Sequence, residues 1–167
     1  NFLDLDDLPL RQEGEPLDPA SIVSLAFENN RPLFPDPGSV QAASFTRQVL
    51  ASGKKWVVLT DRTSGTDDPR LVLNADKYLR DLLGPSAPRS PLHHCHRPIL
   101  IRDGSVPLGD VITRLQVHPE HGEDDVIDQD IILLWGDERK IITGSDLPGR
   151  LMRGIARNRR IPPETVL

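Results

Sequence analysis

The sequence predicts a mixed α/β (α+β) fold: two tandem β-α-β-β-α halves packed with pseudo-twofold symmetry. Three observations carry this expectation: short apolar runs of strand length, apolar residues recurring every three to four positions between them, and repetition of the whole order. Arg31-Pro32-Leu33-Phe34 followed by Gly38-Ser39-Val40 recurs at the same spacing as Arg97-Pro98-Ile99-Leu100 followed by Gly104-Ser105-Val106. Farther along, Trp56-Val57-Val58-Leu59 corresponds to Ile131-Ile132-Leu133-Leu134, and Leu71-Val72-Leu73 with Asp76 corresponds to Ile141-Ile142-Thr143 with Asp146. The spacings between these matches drift at two polar loops. An acidic insertion spans His118 to Gln129, and the Asp61–Pro69 turn is longer than its counterpart at Gly136–Arg139. Such insertions add little loop-closure entropy.

The elements follow in order. Residues 1–17 form an acidic, loosely held arm. Asp18-Pro19 reads as an N-cap and first helical position, opening a leading helix over 18–30 through Ile22, Leu25 and Ala26. The first half occupies 31–84, with a helix marked by Val40, Ala43 and Val49-Leu50. A Pro- and Ser-rich linker spans 85–96. The second half occupies 97–157, with Val111-Ile112 and Leu115 marking its first helix and Gly136-Asp137-Glu138-Arg139 its hairpin turn. A last helix begins near Thr143 to Asp146 and buries Leu147, Leu151 and Ile155, with Pro148 tolerated in the first turn. A basic tail covers 158–167. A half of about 50 to 65 residues buries too little surface alone, so the two stack through their sheets and leave a cleft between equivalent strand-to-helix turns.

Composition narrows the function classes. The chain has 167 residues, of which 37% are hydrophobic and 27% charged, and no apolar run approaches membrane-span length. The acidic start is unlike a secretory leader, and the lone Cys95 precludes an internal disulfide, so a cytoplasmic location is expected. The missing initiator Met points to a piece of a longer protein. Residues 1–19 carry the full formal charge of −5, whereas Arg150, Arg153, Arg157, Arg159 and Arg160 make the end of the chain basic. This distribution lacks the broad basic footprint of a nucleic-acid binder.

The duplicated order, with an apolar strand, a polar turn containing Asp and then a helix in each half, resembles a CBS-domain pair, or Bateman module, over residues 31–157. In nucleotide-binding members a Gly-apolar-apolar-Thr/Ser-x-x-Asp turn holds the ribose hydroxyls. Lys140-Ile141-Ile142-Thr143-Gly144-Ser145-Asp146 matches that pattern, with Lys140 where Gly is usual; in Arg70 to Asp76 the Asp is present but Leu73 replaces the hydroxyl residue. The resemblance implies Thr143 and Asp146 on the ribose, Gly144 and Ser145 amides near phosphate, Ile101 and Arg102 near adenine or phosphate, Lys140 near phosphate, and Asp76 as the first-half counterpart. A carboxylate and a hydroxyl side by side suit a vicinal diol. The same Thr-x-x-Asp spacing also serves as a helix cap without any ligand.

AMP, ADP, ATP or S-adenosylmethionine is the implied regulatory ligand, with no required cofactor, and a homodimer coupled to an unidentified effector is the implied assembly. The alternative is a ligand-free dimerisation or protein-interaction module. His93-His94-Cys95-His96 contains metal-donor types, but consecutive residues cannot converge on one ion, and His118 or His121 would have to help; the stretch reads as a polar linker, with no metal site expected. Glu120, Glu123, Asp124, Asp125, Asp128 and Asp130 lack calcium-loop spacing and read as a solvated loop. No hydrolase elbow, phosphate-binding loop or metalloprotease motif occurs, and the chain reads as a non-enzyme.

Overall fold

The computed structural model describes residues 7–64, 68–115, 127–144 and 146. The last helix, the basic tail, most of the acidic insertion, and Ser145, His118 and His121 lie outside these residues. The fold is mixed α+β. Strands β1 (Glu15–Pro16), β2 (Ile22–Leu25), β3 (Phe27–Glu28) and β4 (Arg31–Pro32) precede helix α1 (Val40–Ser52). Strands β5 (Trp56–Asp61) and β6 (Asp68–Asn74) lead to α2 (Ala75–Leu82). Then come β7 (Cys95–His96), β8 (Ile99–Ile101), α3 (Leu108–Ile112), β9 (Ile131–Trp135) and β10 (Arg139–Thr143).

Two four-stranded sheets have the orders β2-β5-β6-β7 and β8-β9-β10-β1. Their connections match. β2 pairs parallel to β5 and β5 antiparallel to β6; β8 pairs parallel to β9 and β9 antiparallel to β10. The edge strands are exchanged: β7, which leads into the second half, closes the first sheet on β6, and β1, which leads into the first half, closes the second sheet on β10.

The sheets pack face to face through Val58 and Val72 of one and Ile131, Leu133, Trp135 and Ile141 of the other, with Leu17, Ile22, Trp56 and Leu100 at the margins. Each outer face carries its own core. One gathers Val57, Leu59, Leu71 and Leu73 beneath Phe45, Val49 and Tyr78 of the helices; the other gathers Ile132, Leu134 and Ile142 beneath Leu108 and Val111. Central strands buried on both faces need unbroken apolar runs, which explains Trp56–Leu59 and Ile131–Trp135.

Local chemistry sets the boundaries. Ser39 caps α1 by accepting the Ala42 N–H at 3.0 Å, and Gly53 ends it in the left-handed conformation at φ 61°. Phe34, Phe45 and Tyr78 then stack edge to face at 5.7 Å under α1 and α2.

Four sequence expectations are corrected. The leading helix over 18–30 is a single 3-10 turn, Pro19–Ser21, followed by strand β2. Asp18 does cap it, accepting the Ala20 N–H at 2.9 Å, but Val23 and Leu25 alternate inward as strand residues and register against Leu59 and Asp61. Arg31–Phe34 is not the opening strand of the first sheet. Only Arg31–Pro32 is extended, pairing with β3 through Asn29 and Asn30, whose φ values of 49° and 62° fit a type I′ turn. Residues 7–17 are not a loose arm either: Leu10 is fully buried in the second core, its N–H reaches the Val106 carbonyl at 2.8 Å, and β1 joins the sheet. Likewise, the linker over 85–96 ends as β7.

Candidate functional site

The strand register decides which residues of the halves are equivalent. Leu133 pairs with Ile141 as Val58 pairs with Val72, and all four lie between the sheets. By the same alignment Ile131–Thr143 corresponds to Trp56–Asn74. The counterpart of Thr143 is therefore Asn74, not Leu73, and the counterpart of Asp146 is Lys77, not Asp76. The sequence alignment was one residue out, which would exchange core-facing and sheet-facing residues.

The first of these turns caps α2. The Asn74 side chain accepts the Lys77 N–H at 3.1 Å. At Thr143 the backbone N–H and the side-chain hydroxyl both donate to Asp146 Oδ2, at 2.8 and 3.0 Å. That carboxylate reaches back to the first residue of the turn, as the acid of a capping box does.

The other predicted site residues do not gather there. Gly144 adjoins Thr143 in the turn. Ile101 packs in the second core and pairs with Leu134, toward the opposite end of the sheet from Thr143, which pairs with Ile131. Arg102, just beyond β8, lies 3.6 Å from Asp68 and so spans the two halves, with Asp68 also bound to Arg70 at 3.1 Å. Lys140 donates to the Arg11 carbonyl and lies 3.9 Å from Glu138. Asp76 is exposed in the first turn of α2.

At the Thr143 end of the sheets a second polar group assembles. β7 alternates across its sheet: Cys95 enters the core beneath the helices, and His96 meets the Trp56 ring edge-on at 5.1 Å. His96 Nδ1 lies 2.7 Å from Asp130 Oδ1. Asp128 precedes β9 on the same segment, and its carbonyl accepts the Arg97 N–H at 3.0 Å. One donor atom each from His96, Asp128 and Asp130 falls within 4.8 Å of the others. Burial pushes the Asp130 carboxyl up, but the His96 hydrogen bond and the charges of His96 and Lys77 more than offset it and hold it below the usual range.

The neighbouring residues of the His run go elsewhere. His94 Nε2 contacts Asp81 Oδ2 at 2.9 Å, and the Cys95 thiol, pushed up to about 12 by burial, donates to the Pro91 carbonyl. The sequence reading considered the His run and the acidic loop separately. Their connection comes from strand exchange, which brings β7 beside the approach to β9; the one available signal was the Asp128-x-Asp130 spacing, which can place two carboxylates on one side of an extended segment.

Among the described residues, no helix is long and apolar enough to cross a membrane. Comparison of the chain with protein-family models, with curated proteins and with solved structures finds no match.

Proposed function

We propose that the chain is a regulatory module of CBS-pair type that senses an adenosine-containing nucleotide at the Thr143–Asp146 turn. The observation that carries this reading is the contact at that turn: a hydroxyl and a carboxylate, 3.0 Å apart, form one polar surface where β10 gives way to the following segment. That pairing suits the vicinal hydroxyls of a ribose, because the carboxylate accepts and the threonine hydroxyl donates or accepts. The matching strand connections and face-to-face sheets support a pseudo-twofold pair of halves. In this mechanism the ligand stabilises one arrangement of the halves, or of two modules in a homodimer, in proportion to its differential affinity. An attached domain or partner would receive the output.

A ligand-free association module is the second reading, favoured by polar contacts at both turns that are satisfied within the chain. Thermal unfolding with AMP, ADP, ATP and S-adenosylmethionine separates the two. A ligand at 100 times its dissociation constant adds about 2.7 kcal/mol. A selective rise in Tm that disappears in Asp146→Ala supports sensing; no rise with any of the four supports association.

A further inference from the structure

We propose that His96, Asp128 and Asp130 bind a divalent transition-metal ion, with Zn2+ as the preferred occupant. The donor set is one imidazole nitrogen and two carboxylate oxygens, all within 4.8 Å. Tetrahedral zinc, with bonds of about 2.0–2.2 Å to nitrogen and oxygen, brings its ligand atoms to about 3.3 Å from one another. Rotation of the Asp side chains supplies the adjustment, in which His96 Nδ1 and Asp130 Oδ1, now 2.7 Å apart, separate to admit the ion. On binding, the metal takes the place of the proton in that contact.

The chemistry selects the ion. Calcium requires six to eight oxygen ligands, whereas a nitrogen donor beside two carboxylates favours zinc among the common divalent ions. Three protein ligands leave a fourth position for water or for an anionic group brought by another molecule. The Lys77 charge also acts on Asp130, and its side chain, on the exposed surface of α2, can turn away as the metal enters.

The location gives the ion a structural consequence. His96 is on the exchanged edge strand of the first sheet, and both aspartates lead into the central strand of the second. A metal there clamps one sheet to the other. This proposal uses none of the ribose-site residues, so it stands apart from the nucleotide reading.

The test is calorimetric titration of the chelator-treated full chain with ZnCl2, alongside thermal unfolding. One Zn2+ per chain should bind with micromolar or tighter affinity, and excess Zn2+ at 100 times the dissociation constant should raise Tm by about 5–10 °C. His96→Ala should weaken binding at least tenfold. Asp128→Asn, which keeps the side-chain shape, should also do so with Tm in chelator unchanged, separating loss of a ligand from loss of fold. Failure to bind Zn2+, affinity unaltered in both variants, or equal affinity for CaCl2 would overturn the proposal. Asp146→Ala should leave Zn2+ binding intact.

Discussion

Asn74 Oδ1 accepts the Lys77 N–H at 3.1 Å, at the point where β6 becomes α2. Asn74 is only 5% exposed, so its side chain is fixed by the surrounding core as well as by the cap. Asn74→Ala should destabilise the protein by about 1–2 kcal/mol, lowering Tm by about 2–8 °C in thermal denaturation. Asn74→Asp should restore much of the loss, because an acid at a helix N-terminus both caps and complements the dipole.

Gly14 and Gly38 provide an internal comparison. Both have positive φ, 71° and 81°, but a Cβ on Gly14 would fall 2.3 Å from the Ile141 carbonyl oxygen, whereas one on Gly38 meets nothing within 4 Å. Gly38→Ala carries the backbone penalty alone, about 1–2 kcal/mol. Gly14→Ala adds a clash with strand β10 and should cost about 2–5 kcal/mol in chemical denaturation. Equal losses would show that β1 can withdraw from the sheet without consequence.

Cys95 should be inert in the folded protein. Its thiol is buried and pushed up to about 12 by desolvation, so almost no thiolate exists near neutral pH. A disulfide reagent at pH 8 should react slowly in native buffer and within seconds to minutes in denaturant. Fast native labelling would mean that β7 opens readily.

Acid should weaken the fold through specific carboxylates. The hydrogen bond from His94 holds Asp81 below its ordinary value of 3.8, and bonding from the Thr63 side chain does the same for Asp61 despite an opposing effect of burial. A depressed folded value contributes stability above the unfolded value and loses it as pH falls through the folded one. Tm should therefore vary little with these groups between pH 7 and about 5 and drop below about pH 4. Asp81→Asn should flatten the drop; an unchanged acid profile would show that this contact adds no stability.

The sequence made the central hairpins legible because strands buried on both faces must be apolar throughout: Trp56–Leu59 and Ile131–Leu134 are long enough to have no other economical reading. The same property concealed their register. Without polar alternation, Leu71-Val72-Leu73 aligns equally well with Ile141 at either of two positions, and only the sheet partners show which side chains face which core. The start signal at Asp18-Pro19 was genuine, but the β-branched Ile22-Val23 continues as a strand after one turn. In the candidate sites, Thr143 and Asp146 were recognisable because they are close in sequence, whereas His96 and Asp130 meet only through tertiary structure.

The pairing of Glu15 with Ile141 also orders events during folding. Most of the chain must emerge from the ribosome before β1 can find β10, whereas the first sheet needs only residues through β7. The first sheet is therefore expected to assemble earlier, and the second to remain with an open edge until β10 has been made. Until then β1 keeps unsatisfied backbone groups, making it the place where association with a neighbouring nascent chain would begin.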